Sequence, residues 1–139
     1  MSSPDFNMQI IEEFRANDGR VSGIFEGSPL LLLHHTGART GRIRVNPLAY
    51  HSDNGRYVVF ASKAGAPTNP DWYHNLKAHP DVTIEVGTDT IDALASEATG
   101  EERDRLYRTQ AKRVPRFAEY AKQTARVIPV VVLTPTETP

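Results

Sequence analysis

An α+β protein whose antiparallel sheet curls into a barrel is the fold class this sequence predicts. Three observations lead there: five or six short runs of strand-forming residues, an Asn-Gly hairpin signal between two of them, and three helical segments at their ends. At 139 residues the chain is sized for a single domain, 1-139, able to bury a core without staples and too short for a separate cofactor domain.

The elements follow in order. Phe6, Ile10, Ile11 and Phe14 share one face of a predicted amphipathic helix over 5-18, which Gly19 stops. Its apolar stripe suits packing on the barrel, with weak membrane-surface contact as the alternative; Asp5, Glu12 and Glu13 on the polar face are not the lysines that a lipid surface favours. After Gly27-Ser28-Pro29, Leu30 to Leu33 reads as a buried strand running into His34-His35-Thr36, whose two histidines must point to opposite faces. Gly37 and Gly41 bracket a tight turn, and Arg44, Asn46 and Leu48 then alternate with Val45, Pro47 and Ala49 in a strand whose proline implies an edge or a bulge.

Asp53-Asn54-Gly55 predicts a hairpin into the strand 57-61, since Asn-Gly readily adopts positive φ. Residues 63-69 are loop. Asn69 is the expected cap of a helix that has Pro70 at its first position, carries Trp72, Tyr73 and Leu76, and ends before Pro80. Val82 to Val86 and Thr90 to Ala98 form a second hairpin around Gly87. Thr99 and Glu102 match a capping box for a helix that Val114-Pro115 interrupts, with a shorter helix following to Thr124. Ile128 to Leu133 closes the sheet, and 136-139 is tail.

Composition removes several functions. The absence of cysteine excludes disulfides, thiolate nucleophiles, Cys-ligated zinc and iron–sulfur clusters. The run Leu30 to Leu33 is too short to span a bilayer, and Met1 to Asn7 lack the basic start and apolar middle of a secretory signal, so the expected location is cytoplasmic. A formal net charge of −1 gives no field that recruits nucleic acid, and no such partner is expected. The histidines at 34, 35, 51, 74 and 79 have no metal-ligand spacing, so no metal is expected. Neither a phosphate-loop nor a dinucleotide fingerprint occurs, and no GxSxG or Ser-x-x-Lys supports a hydrolase.

What stands out is the densest cation cluster, Arg39, Arg42 and Arg44 beside Thr40 and Gly41, with Lys63 arriving from the next hairpin. Such a turn can offer converging backbone N–H groups and guanidinium forks to phosphate or carboxylate oxygens. The bland alternative is a solvated hairpin tip that protects an edge from aggregation. Trp72 and Tyr73 could wall a flat ring, although aromatic residues at that spacing are more often core.

The stretches Pro29 to Leu33, Thr36-Gly37-Ala38-Arg39-Thr40-Gly41-Arg42 with Arg44, and Asn46-Pro47-Leu48 resemble the deazaflavin-dependent nitroreductase family. Tyr57 to Lys63 with Gly65-Ala66-Pro67, Pro70 to Leu76 through His79-Pro80, and Ile128 to Leu133 resemble the same family, so the likeness covers nearly the whole chain. It implies a split β-barrel, related in shape to flavin mononucleotide-binding oxidases, and coenzyme F420 in its reduced form, a deazaflavin with a phosphate and an oligoglutamate tail. By the same resemblance Arg39, Thr40, Gly41, Arg42 and Arg44 would meet the phosphate and tail. Pro47, Ala61, Ser62 and Lys63 would line the cofactor channel, and Trp72 and Asn75 would border the ring. Tyr120 and Ser62 are the implied proton-delivering residues.

The implied activity is hydride transfer to a small organic acceptor, a quinone, activated alkene or nitroaromatic, by a monomer or homodimer. His34, His35 and Phe117 depart from the family pattern, which leaves nitroimidazole reduction unsupported. Two other readings compete: a flavin mononucleotide oxidoreductase on the same barrel, and a non-catalytic F420 carrier.

Overall fold

The computed structural model describes residues 4–20 and 29–136, without the side chains of residues 4–6 and 64. In chain order the elements are α1 (Pro4–Ala16), β1 (Leu30–Thr36), β2 (Ile43–Asp53), β3 (Arg56–Phe60), a 3-10 turn (Lys63–Gly65), α2 (Asp71–Ala78), β4 (Asp81–Val86), β5 (Asp89–Ala98), α3 (Gly100–Arg113), α4 (Arg116–Gln123) and β6 (Val130–Pro135). The six strands close into a barrel in the order β1-β2-β3-β6-β5-β4, and every neighbouring pair is antiparallel. This is the split β-barrel with flanking helices that the sequence predicts.

Continuous apolar runs become strands here because both faces are covered. Leu31 and Leu33 point into the barrel with Val59, Ile84, Val131 and Leu133, while α2 places Trp72, Tyr73 and Leu76 in the same cluster and closes one mouth. Leu30 and Leu32 face the other way, under Ile10, Ile11 and Phe14 of α1. Val58, Phe60, Val130 and Val132 are likewise covered on the outside by Leu106, Tyr107 and Phe117 of α3 and α4. Truncating a fully buried residue such as Leu33 to alanine would cost about 2–5 kcal/mol.

The turn chemistry follows the sequence. Asn54 and Gly55 have φ of 53 and 81, the paired positive values of a two-residue hairpin between Asp53 and Arg56. Pro47 is paired with Leu32 in an unbroken register, in the part of β2 that extends past β3; it therefore occupies an edge segment and makes no bulge.

Several local expectations need correction. α1 ends at Ala16, short of 18, because Asp18 and Gly19 turn the chain with φ of 56 and 95. A Cβ on Gly19 would come within 2.8 Å of Gly87 Cα, so the exit of α1 closes directly on the β4–β5 turn. Pro70, extended at ψ 157, takes the N-cap position of α2, and the side chain of Asn69 is held by Arg126 at 2.6 Å instead. Thr99 does sit at the N-cap of α3 but its hydroxyl makes no capping bond, and Glu102 turns to the Arg56 guanidinium at 3.4 Å, a charged partner in place of a backbone amide. The stripe of α1 rests on the barrel, as the sequence expects, with Phe14 at 1% exposure; of its apolar residues with described side chains only Met8 is largely exposed. Among the described residues no helix is long and apolar enough to cross a membrane. Residues 137–139 of the expected tail, and Gly27 and Ser28 of the expected turn, lie outside the described residues.

Candidate active site

Strand direction brings the arginine turn and the loop after β3 to one end of the barrel. β1 ends at Thr36, paired with Ile43, so the turn 37–42 stands at that end. β3 runs antiparallel to β2 and finishes at Phe60, beside Val130, and residues 61–70 leave it toward the same end, where β4 and β6 also begin. α2 lies across this mouth.

The turn itself is organised from within. Gly37 N–H donates to the Arg42 carbonyl at 2.8 Å, Gly41 N–H to the Gly37 carbonyl at 2.9 Å, and Arg42 N–H to Thr40 Oγ1 at 3.2 Å, while Gly41 takes φ 71. Ala38 N–H donates to Asn75 Oδ1 at 2.9 Å. These bonds occupy the N–H groups of residues 37, 38, 41 and 42, four of those that the expected backbone nest would offer. Arg39, Arg42 and Arg44 are exposed, and among the described residues none of them, nor Lys63, pairs with a carboxylate.

Behind the turn lies a buried polar relay. Because Asn75 Oδ1 accepts from Ala38, its Nδ2 must donate to His35 Nδ1, at 3.0 Å; His35 Nε2–H then donates to Asn46 Oδ1, at 2.6 Å. His35 is 2% exposed and Asn75 8%. Burial pushes the His35 pKa down, the Asn46 hydrogen bond opposes this, and the Arg44 charge lowers it further, so the ring is neutral with its proton on Nε2. A second proton on Nδ1 would face an N–H donor of Asn75. The mouth is thus held by neutral groups behind an exposed rim of positive charge.

The second wall is the loop after β3. Ser62 is buried, and Lys63 is exposed with φ 47, a left-handed conformation uncommon for lysine; its Nζ donates to Thr68 Oγ1 at 3.3 Å. Strain of this kind gathers at functional sites. Ala61 is fully buried, with its N–H on the Pro129 carbonyl and its carbonyl bound by Arg126. α4 packs against the 3-10 turn, which brings Tyr120 to this end, half-buried with its ring against Phe117 at a centroid distance of 5.3 Å.

Not every predicted residue converges. Arg44, Asn46 and Leu48 share the inward side of β2, whereas Pro47 is on the outward side with Val45 and Ala49. Trp72 is 5% exposed and belongs to the barrel core. Of the adjacent histidines, His35 faces inward and His34 outward, where its Nε2 meets Glu85 at 2.6 Å. A shallow cavity of about 520 Å³ on the outer face of β1, β4 and β5 is lined by His34, Thr83 and Asp92 and contains none of the predicted site residues. Among the described residues no cluster of His, Asp and Glu could hold a metal. Sequence reasoning missed His35 and Asn46 as partners, although their inward parity was readable; Arg126 carried no local signal.

The family described as F420H(2)-dependent quinone reductase matches residues 8–135. The chain belongs to this family. An F420H(2)-dependent quinone reductase of Mycobacterium tuberculosis is 42% identical over 125 residues, covering 87% of this chain and 84% of its own. Among solved structures, an F420-H2 dependent reductase, FDR-A, has a TM-score of 0.70 and 40% identity, over 76% of this chain and 93% of that one. A structure described as a domain-swapped dimer has a TM-score of 0.72 and 35% identity, over 94% and 99%. As a member of the F420H(2)-dependent quinone reductases, this protein is an oxidoreductase and reduced coenzyme F420 is its cofactor. The residues fit that group: cations at one end of the barrel, without carboxylate partners among the described residues, suit a phosphate and an oligoglutamate tail.

Proposed function

We propose that this chain, acting as one unit over 1-139, binds reduced F420 at the mouth formed by the 37–42 turn and the 61–69 loop and reduces a quinone there. The observation that carries the reading is the set of exposed cations, Arg39, Arg42, Arg44 and Lys63, without carboxylate partners among the described residues. Family membership selects the quinone over activated alkenes and nitroaromatics, which stay secondary acceptors in this proposal.

When bound, the reduced deazaflavin supplies a hydride from its C5 carbon, and a quinone that takes it up needs one proton to become the hydroquinone. The protein contributes position and protons. Arg39, Arg42 and Arg44 fork onto phosphate and carboxylate oxygens, each such charge-assisted bond contributing about 1.5–3 kcal/mol. Thr40 and Gly41 keep the turn in shape through the Thr40 Oγ1 bond and the positive φ of Gly41. Ser62 and Lys63 border the channel from the other side, Asn75 anchors its floor, and the buried Ala61 and Trp72 support it from the barrel core, while Pro47, on the outward side of β2, acts only through its strand. In this reading Tyr120, on the helix that packs on the 3-10 turn, delivers the proton through its phenol, with the Ser62 hydroxyl as the alternative. A homodimer is proposed on the precedent of the domain-swapped relative, to be checked by light scattering.

Anaerobic turnover of menadione with reduced F420, followed by the return of oxidised-deazaflavin fluorescence, tests the reading. Turnover that falls about 10- to 100-fold in Tyr120→Phe with unchanged cofactor affinity supports it. Tight F420 binding with no quinone turnover would make the protein a carrier.

A further inference from the structure

We propose that Arg126 is a positioning residue that sets the cofactor-binding conformation of residues 61–69. The inference rests on the reading above, in which Ser62 and Lys63 meet the cofactor.

One guanidinium gathers this loop. Arg126 Nε donates to the Ala66 carbonyl at 2.9 Å, Nη1 to Asn69 Oδ1 at 2.6 Å, and Nη2 to the Ala61 and Ser62 carbonyls at 3.1 and 3.0 Å. These acceptors lie at the start, middle and end of the segment. Between them the loop has little order of its own: Gly65 N–H reaches the Ser62 carbonyl at 2.9 Å and Ala66 N–H the Lys63 carbonyl at 3.0 Å, and Pro67 has no N–H to donate. Lys63, held at φ 47, lies between two residues whose carbonyls Arg126 fixes, Ser62 and Ala66. A left-handed lysine persists only where its surroundings over-determine it, and this fork is that determinant.

The clamp also links the loop to α4. Arg126 follows Thr124, the C-cap residue of that helix, and a Cβ on Gly65 would run into the Gln123 side chain. Arg126 therefore joins the two walls of the site, the one bearing Lys63 and the one bearing Tyr120. Among the described residues no carboxylate pairs with it, and its donors are satisfied by neutral oxygens, so its positive charge adds to that of Lys63. Lysine would keep the charge but not the planar fork that serves separated acceptors.

The test titrates oxidised F420 into wild type, Lys63→Ala, Arg126→Lys, Arg126→Gln and the Lys63→Ala/Arg126→Gln pair, and measures KM for reduced F420 and for menadione. Arg126→Lys and Arg126→Gln are both expected to weaken F420 by about tenfold or more, raising the F420 KM while the menadione KM and kcat at saturating cofactor change less than about threefold. The double variant should lose less affinity than the product of the two single losses, because both changes act on one loop. Wild-type affinity in Arg126→Lys, or fully multiplicative losses in the pair, would overturn the inference. Should Arg126→Gln fail to fold, Arg126→Lys decides, with amide exchange at residues 62–66 expected to quicken. An unchanged Lys63→Ala overturns the cofactor placement beneath the inference, whereas a weakened Lys63→Ala beside an unchanged Arg126→Lys overturns the inference alone.

Discussion

Asn75 Nδ2 donates to His35 Nδ1 at 3.0 Å, and through this bond the helix closing the barrel mouth is tied to the strand that delivers the arginine turn. Both residues are buried, and the same Asn75 receives the Ala38 amide on its other atom.

Replacing Asn75 with leucine leaves the Ala38 N–H and the His35 Nδ1 lone pair without partners. The expected loss is about 2–4 kcal/mol, from leaving two groups unsatisfied. Urea denaturation should show a lower midpoint at unchanged slope, and the variant should also bind F420 more weakly because the turn carrying Arg39 is no longer anchored.

Acid should weaken the fold through two buried histidines. His35 and His51 are both buried, and burial pushes both pKa values below the ordinary 6.5; the Gln110 bond to His51 Nδ1 only partly offsets this, and His51 Nε2 has no partner among the described residues. In the unfolded chain both histidines take up protons near 6.5, and in the fold they do so only at lower pH. Their stabilising neutrality is therefore complete above pH 6.5 and is lost as pH falls from 6.5 through the folded values. Thermal melts between pH 7.5 and 5 should show a declining Tm, and His51→Phe should flatten that decline.

Lys63 sacrifices backbone comfort for position. Lys63→Gly relieves φ 47 and should change stability by less than about 1 kcal/mol, in either direction, while F420 affinity falls. Equal loss of stability and affinity would assign the lysine a structural role.

Much of the fold was readable because its signals are local. Asn54-Gly55 fixes one hairpin, Gly87 another, and the leucine run of β1 declares a strand covered on both faces. The arginine cluster was readable for the same reason. Arg126 was not, because its acceptors lie 57 to 65 residues away and nothing in its neighbourhood in the chain anticipates them. The capping expectations at Asn69 and Thr99 failed where a charged group offered a better partner, Arg126 to Asn69 and Arg56 to Glu102.

Outside the site, Asp53 joins the first hairpin to α3. Arg105 at 3.1 Å and Arg56 at 2.6 Å hold its pKa down to about 2, from 3.8. The lowered value stabilises the fold above pH 3.8 and is lost as pH falls through about 2. Solvent screening limits the effect, so Asp53→Asn should cost about 1 kcal/mol at neutral pH, with a smaller difference from wild type in melts near pH 2.

The central claim is that the unpaired cations at this mouth bind the anionic tail of F420. It is tested most directly by titrating the protein with F420, with a deazaflavin lacking the phosphate and glutamates, and with flavin mononucleotide, beside an Arg39→Ala/Arg44→Ala/Lys63→Ala variant. The account predicts preference for intact F420, affinity that falls with added salt, and a loss of about 100-fold or more in the variant. Equal affinity for the tail-less deazaflavin, tighter binding of flavin mononucleotide, or an unaffected variant would contradict it.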